Sequence, residues 1–215
     1  MIPAEANKPE IFSKKFLAVL LVISILTNVV LVLQQRDPYF FTGIRYAFLP
    51  VPKVLPADHV RGNPNAKNTV IEYADFQCPF CAEFHQSMNT VMKEADVRWV
   101  YRHFPLKSHS LAPKAAEASE CAADQKKFWE YSDALFNTKT ELTDETFIFA
   151  AGQIGLDVPA FEKCLSNGTH RAVVDAHLKD GKKMKVDGTP TLFINGKRYD
   201  GYVPLDALRK LIKIK

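Results

Sequence analysis

A Cys-x-x-Cys motif at residues 78–81 stands between a strand pattern and a helix pattern. Residues 68–76 read NTVIEYADF, a short run of apolar and β-branched side chains without helical spacing, which predicts a buried strand. After the motif, apolar residues return at helical intervals, and residues 97–104, VRWVYRHF, predict a second strand. Strand, helix and strand in this order form a βαβ unit, which requires parallel pairing and a right-handed crossover.

The C-terminal part of the chain carries a hairpin pattern followed by a helix pattern. Two short strand patterns over residues 191–201 flank Asn195-Gly196, a strong two-residue turn signal. Apolar residues then return at helical spacing over residues 205–212. Between the two strand regions, residues from about 107 to 186 carry helical patterns. The sequence therefore predicts an α/β sheet interrupted by a helical insertion.

An apolar run near the N-terminus is long enough to cross a membrane. Residues 16–33 are apolar apart from three small polar side chains, and a helix of this length spans about 27 Å. No small-x-small cleavage pattern follows, so a retained anchor is favoured over a cleaved signal peptide. Positive charges are equal on the two sides, but Lys14-Lys15 ends the short tail 1–15 and favours an internal N-terminus. Residues 34–56, rich in proline, predict a mostly extended linker.

Composition and charge exclude several classes of protein. Hydrophobic residues make up 47% and charged residues 24% of the 215-residue chain, which is typical of globular rather than disordered proteins. Residues 57–215 are long enough to form one domain with its own core. The net charge of +4 is small and no basic face is concentrated in the sequence, so we expect no nucleic-acid partner.

The four cysteines permit three interpretations of the motif: a redox dithiol, half of a metal site, or a structural pair. Zinc would require a second ligand pair at suitable spacing, and Cys121 and Cys164 lie far from the motif and from each other. A bond between Cys78 and Cys81 closes too short a loop to constrain the unfolded chain much. We therefore favour redox chemistry and expect no metal. Unpaired N–H groups and the helix dipole lower the pKa of a cysteine at a helix N-terminus, here Cys78.

Two stretches of the sequence resemble the DsbA-like thiol:disulfide oxidoreductases of the thioredoxin superfamily. They are EYADFQCPFCAEF around the motif and VDGTPTLFINGK near the C-terminus, with the helical insertion between them. The similarity covers the chain from about residue 60 to its C-terminus. It implies an α/β thioredoxin fold interrupted by an α-helical insertion. The apolar run near the N-terminus predicts that one transmembrane helix precedes this fold.

The resemblance also implies roles for residues of the site. Cys78 corresponds to the exposed nucleophile and Cys81 to the buried partner that resolves a mixed disulfide. The Thr189-Pro190 bond corresponds to a cis peptide bond that faces the dithiol, where the backbone of Thr189 pairs with an extended substrate segment. No organic or metal cofactor is implied.

Glu72 lies where members of this family often carry a buried carboxylate that helps move protons to and from the buried cysteine. Without the resemblance, a glutamate in the middle of a strand would be interpreted as an edge or solvent-facing residue. Arg102 on the second strand is the nearest candidate for its basic partner. Alternation along that strand could instead turn Arg102 to solvent.

The dipeptide Pro79-Phe80 departs from the pattern of the strongly oxidising members, which carry a histidine directly before the second cysteine. Phe80 removes that donor, so the thiolate is less stabilised and a weaker oxidant is expected. We expect a reduction potential between about −120 mV, as in DsbA, and about −270 mV, as in thioredoxin.

Cys121 and Cys164 both fall in the helical insertion, and each has no other partner if the motif acts alone. We predict that they form a structural disulfide; two unpaired buried thiols are the alternative. A structural disulfide requires an oxidising compartment, which favours a domain outside the cytoplasm.

The sequence predicts a thiol:disulfide oxidoreductase held in the cytoplasmic membrane by residues 16–33, with its catalytic domain on the periplasmic or extracellular side. The resemblance implies a dithiol oxidase that introduces disulfides into cysteine-containing exported proteins and is recharged by a membrane partner of the DsbB or VKOR type. A reductase or isomerase of the same fold remains open because of Phe80. A non-catalytic peptide-binding or chaperone module is the alternative of another class.

Overall fold

The computed structural model describes residues 13–36, 49–138 and 141–214. The chain divides into two units, Met1–Arg45 and Tyr46–Lys215. In the first unit, helix α1 covers Lys14–Arg36, and an 18-residue window within Lys14–Gln35 has a mean hydropathy of 2.9. By length and composition this is a candidate membrane span, although a signal sequence would meet the same criteria. The predicted tail and much of the predicted linker lie outside the described residues.

A five-stranded mixed sheet forms the centre of the second unit. The strands are β1 (His59–Gly62), β2 (Asn68–Ala74), β3 (Val97–His103), β4 (Thr191–Ile194) and β5 (Lys197–Asp200), in the order β1-β3-β2-β4-β5. Strands β2 and β3 are parallel and are joined by helix α2 (Pro79–Glu94), which confirms the predicted βαβ unit. Asn195 and Gly196 join β4 and β5 with φ angles of 50° and 83°, which is the geometry that this turn requires.

Strand β1 is absent from the sequence prediction. Its four residues, HVRG, contain a single large apolar side chain and none of them is fully buried, so they give no strand pattern of their own. The strand forms because it pairs antiparallel with β3 at the edge of the sheet. Its first residue, His59, also stacks on the ring of Phe128 with centroids 3.6 Å apart. Tertiary contacts therefore create this strand.

Five helices separate β3 from β4 and form the predicted insertion: α3 (Ala112–Asp124), α4 (Phe128–Asn137), α5 (Asp144–Gln153), α6 (Val158–Ser166) and α7 (Arg171–Lys183). The structure joins Cys121 of α3 to Cys164 of α6 by a disulfide across 43 positions of sequence. In the chain-entropy account, closing a loop of this length stabilises the fold by about 4 kcal/mol. Helix α8 (Leu205–Ile212) completes the unit, as its apolar spacing predicts.

Candidate active site

The dithiol lies where β2 passes into α2. Cys78 is the N-cap residue of α2, and Pro79 follows in the first turn, where a missing N–H leaves no helical bond unmade. Asp75 fixes this connection, because its carbonyl accepts from Cys78 N at 3.0 Å and its Oδ1 accepts from Gln77 N at 2.7 Å. The other carboxylate oxygen accepts from Leu106 N at 2.8 Å. Sequence reasoning missed Asp75, although an aspartate ahead of a tight connection is a recognised signal of side-chain-to-backbone bonding.

The two cysteines differ in burial less than the resemblance implies. Cys78 is only 5% exposed and Cys81 is 0% exposed. The nucleophile was expected to be exposed, but both cysteines are buried and Cys78 is only slightly more accessible than Cys81. When Cys78 is protonated, its Sγ atom donates to the carbonyl oxygen of Thr189 at 3.3 Å. The Thr189-Pro190 bond is cis, and Thr189, two residues before β4, lies at the dithiol.

The environment shifts the two thiols in opposite directions. A hydrogen bond from the Cys81 thiol lowers the pKa of Cys78 to about 6 against the effect of burial, and Thr189 and the N–H groups of Cys81 and Phe80 add to the lowering. Burial is the largest cause that raises the pKa of Cys81 well above its ordinary value. At neutral pH the site therefore holds a thiolate at Cys78 and a protonated thiol at Cys81. This is the division of roles that a nucleophile and a resolving partner need.

Glu72 lies fully buried on β2, so it is not the edge or solvent-facing residue that its position in a strand alone would indicate. Its Oε2 accepts from the indole Nε1 of Trp99 at 3.0 Å, and its Oε1 has no hydrogen-bond partner among the described residues. Burial raises the pKa of Glu72 to about 8, Trp99 opposes the shift, and the charge of Cys78 adds to it. The charge of Glu72 in turn raises the pKa of Cys81. A buried acid that titrates near neutral pH is thus coupled to both thiols.

Arg102 is not the partner of Glu72, and that expectation is wrong. The parallel register aligns Arg102 with Tyr73, the neighbour of Glu72. Because successive residues of a strand face opposite sides of the sheet, the side chains of Arg102 and Glu72 lie on opposite faces. Arg102 does not face solvent either, since it is 1% exposed. Its guanidinium donates to Asp58 Oδ2 at 2.8 Å and to Asp180 Oδ2 at 2.8 Å. The arginine therefore belongs to a buried ion-pair network away from the dithiol.

A cleft of about 220 Å³ opens beside Cys78 and is lined partly by Phe76, Ala82 and Phe136. The side chain of Phe80, within the motif, is 55% exposed, although it is large and apolar. An exposed ring next to a cleft of mixed polarity offers contact surface to a peptide segment at the nucleophile.

The lowered pKa of Cys78 predicts a specific pH profile of alkylation. In the reduced protein we expect Cys78 to react with iodoacetamide with a midpoint near pH 6, because the thiolate is the reacting form. Replacing Cys81 by alanine removes the largest cause of the shift, so the midpoint should rise in Cys81→Ala. The measurement is the rate of alkylation against pH, with the modified residue identified by mass. An unshifted midpoint above pH 8 in the parent protein would contradict the assignment.

Comparisons with known proteins agree with this geometry. The family model Thioredoxin_4, described as thioredoxin, matches residues 55–214. A thioredoxin-like oxidoreductase from Silicibacter pomeroyi DSS-3 superposes with a TM-score of 0.68 at 24% identity and covers 74% of this chain and 92% of that chain. The thiol-disulfide exchange protein alpha-DsbA2 from Wolbachia pipientis has a TM-score of 0.67 at 20% identity, covering 74% and 87%. BdbD from Bacillus subtilis has 0.67 at 22% identity, covering 77% and 96%.

The curated relatives with similar sequence are longer proteins. Na(+)/H(+) antiporter NhaA 3 of Salinispora tropica is 39% identical over 164 residues, which are 74% of this chain and 25% of that protein. NhaA 1 of Mycolicibacterium gilvum is 41% identical over 157 residues, again 25% of its length. The chain spans about a quarter of the length of these relatives, and the transport activity in their names is that of the whole proteins. By its family match, the chain belongs to the thioredoxin family, and its fold carries a helical insertion between β3 and β4.

Proposed function

We propose that the protein is a thiol:disulfide oxidoreductase that works as a dithiol oxidase through Cys78 and Cys81. The observation that carries the proposal is the opposite shift of the two thiol pKa values within one motif, to about 6 for Cys78 and well upward for Cys81. Such a pair has one sulfur that attacks or leaves readily and one that holds its proton. Neither property is needed in a structural pair.

In the oxidase direction, the Cys78-Cys81 disulfide accepts two electrons from a client dithiol. A client thiolate attacks Sγ of Cys78, the bond between Cys78 and Cys81 breaks, and Cys81 leaves and takes up a proton because its pKa is high. A second client thiolate then attacks the client sulfur of the mixed disulfide. Cys78 departs as a thiolate, which its lowered pKa makes a good leaving group. The client gains one disulfide, and the protein is left as a dithiol.

Glu72 is suited to the proton step of this exchange. It is buried, its pKa of about 8 lies near the working pH, and its charge acts on Cys81. A protonated Glu72 can supply the proton that Cys81 takes up when it leaves, and a deprotonated Glu72 can receive it on reoxidation. The carboxylate thus acts on the resolving cysteine rather than on the nucleophile.

The proposed clients are cysteine-containing exported proteins that bind in an extended conformation. The backbone of Thr189 already lies at the sulfur of Cys78, the atom at which the mixed disulfide forms. The cleft beside Cys78 and the exposed ring of Phe80 offer apolar surface for the side chains that flank a client cysteine.

The proposed location is the cytoplasmic membrane, with α1 as a single-pass anchor and the catalytic domain on the periplasmic or extracellular side. The apolar length of Lys14–Gln35 supports the anchor. The disulfide between Cys121 and Cys164 supports an oxidising compartment, where such bonds persist. A membrane partner of the DsbB or VKOR type would then reoxidise the dithiol.

The reduction potential tests the direction of electron flow. The lowered pKa of Cys78 stabilises the reduced form at neutral pH, because the reduced protein then carries a thiolate. We therefore expect a potential above that of thioredoxin, about −270 mV. The measurement equilibrates the full chain in detergent micelles with graded glutathione buffers and follows the two cysteine pairs separately by mass.

Each outcome of this equilibrium has a consequence. A reduction potential above that of thioredoxin supports the oxidase. A reduction potential at or below that of thioredoxin supports the reductase, the alternative suggested by Phe80. If the Cys78-Cys81 pair does not exchange with glutathione at all, the catalytic proposal fails and a peptide-binding module is the remaining function.

A further inference from the structure

The fold gathers three histidines around one buried carboxylate near the C-terminal end of β3. Two histidine nitrogens lie at hydrogen-bond distance from Oε1 of Glu120 in α3. They are Nε2 of His59 at 2.9 Å and Nε2 of His103 at 2.8 Å. His177 of α7 lies against His103, with ring centroids 5.4 Å apart and an interplanar angle of 29°. These residues are scattered along the chain, so the sequence gives no metal-ligand spacing and no metal was expected from it.

Three of these side chains lie close enough to share one ion. A ring nitrogen of His103, a carboxylate oxygen of Glu120 and a ring nitrogen of His177 all lie within 4.8 Å of one another. His103 is 1% exposed and Glu120 is 5% exposed, so this is an interior cluster rather than a chance group of surface residues. Ligand atoms of a tetrahedral zinc site lie about 3.3 Å apart, given metal-ligand bonds of about 2.0–2.1 Å. Binding would therefore require these ligand atoms to move closer together, to about that separation.

His103 provides a second observation that points to a ligand. Its Nδ1 is buried and has no hydrogen-bond partner among the described residues. Leaving a buried polar nitrogen unsatisfied costs about 1–3 kcal/mol, so native interiors rarely do so without a bound group. A metal ion bound at Nδ1 would remove that cost.

The charges around the cluster suit a cation, because its centre is the carboxylate of Glu120, which lies at hydrogen-bond distance from His59 and His103. The nearby positive charge of Arg102 is paired with Asp58 and Asp180. A neutral imidazole and an ionised carboxylate are the forms that bind metal ions.

We propose that His103, Glu120 and His177 bind a divalent transition-metal ion, with Zn²⁺ as the ion that best fits two imidazoles and one carboxylate. His59, already at the carboxylate of Glu120, is placed to become the fourth ligand. Binding exchanges the hydrogen bonds at Glu120 for bonds to the metal.

The ion would fasten the insertion to the sheet near the motif. His103 ends β3, whereas Glu120 and His177 belong to two helices of the insertion. The ring of Phe76, two residues before Cys78, lies 6.1 Å from the ring of His103. Zinc would therefore stabilise the packing of the insertion against β3, next to the connection that carries the motif, without binding the sulfur atoms.

The test is a zinc titration of the full chain in detergent, carrying no histidine tag. The background is Cys78→Ser/Cys81→Ser, so that the dithiol cannot bind metal, and no reductant is added, so that the Cys121-Cys164 disulfide remains. We expect one equivalent of Zn²⁺ by calorimetry and a rise in Tm with added zinc. Glu120→Gln and His177→Gln should each weaken binding at least tenfold.

His170→Gln is the matched control, because His170 bonds Asp124 beside the disulfide and belongs to a different cluster. This variant should bind zinc as its background does. The absorption of bound Co²⁺ gives a readout that needs no further substitution: tetrahedral bands without a thiolate charge-transfer band are expected. Absence of stoichiometric binding, a thiolate band, or loss of binding in His170→Gln with retention in His177→Gln would each overturn the proposal.

Discussion

Replacing Cys78 by serine should abolish disulfide exchange, whereas replacing Cys81 by serine should trap the protein on its clients. A serine hydroxyl forms no disulfide, so in Cys78→Ser the transfer rate should fall at least about a hundredfold, to the uncatalysed rate. In Cys81→Ser, the thiolate of Cys78 still attacks the disulfide of an oxidised peptide and displaces one of its thiolates, but the neighbouring thiol that releases the mixed disulfide is gone. We expect a covalent adduct with a disulfide-containing peptide to accumulate. The measurement is the rate of peptide oxidation, with adducts detected by mass.

The matched control removes the other cysteine pair. Cys121→Ser/Cys164→Ser also loses two sulfurs, but its disulfide lies between two helices of the insertion. This variant should keep the exchange chemistry while its free energy of unfolding falls by up to about 4 kcal/mol. If Cys78→Ser binds client peptides as the parent protein does and keeps the parent protein's activity in cells, the peptide-binding alternative is supported and catalysis is not.

The parts of the site that local sequence predicts are those within one continuous segment. The strand, the motif and the helix follow one another without a break, so apolar spacing alone places Cys78 at the N-terminus of α2. Thr189 lies 111 positions away from Cys78, and its approach to the sulfur follows only from the resemblance to a known family. Local pattern and family resemblance thus contribute different halves of the site.

The errors have physical causes that a single sequence does not contain. The partner of Arg102 depends on which face of β3 it occupies, and the parallel register with β2 decides that. Strand β1 has no pattern of its own because its partner β3 supplies the pairing. The cluster around Glu120 combines residues from a sheet edge and from two helices of the insertion, a juxtaposition that only the packed fold creates.

Replacing Glu72 by glutamine should make the protein more stable at alkaline pH while slowing its exchange reaction. The folded pKa of about 8 lies above the ordinary value of 4.5, so the folded protein keeps a proton that the unfolded chain has lost between these pH values. The contribution of Glu72 to the free energy of unfolding is therefore fully present below pH 4.5. It declines as pH rises towards 8. A shift of this size corresponds to about 5 kcal/mol.

Glutamine removes this loss because it carries no charge to bury, and its carbonyl can still accept the hydrogen bond from Trp99. The measurement is urea unfolding at several pH values in a Cys78→Ser/Cys81→Ser background, where thiol titration makes no contribution. Burial is the largest cause of the shift, so most of the effect should persist without the thiolate.

Glu83→Gln is the control for this substitution, because Glu83 is an exposed glutamate on the neighbouring helix α2. It should leave the pH dependence of stability unchanged. In the active protein, Glu72→Gln should slow the step in which Cys81 takes up or loses its proton, and the deficit should follow the titration of Glu72. Parallel stability curves for the parent and Glu72→Gln between pH 5 and 8 would mean that Glu72 is already ionised in the folded state. The proton-transfer role would then have no donor, because a carboxylate without a proton cannot supply one to Cys81.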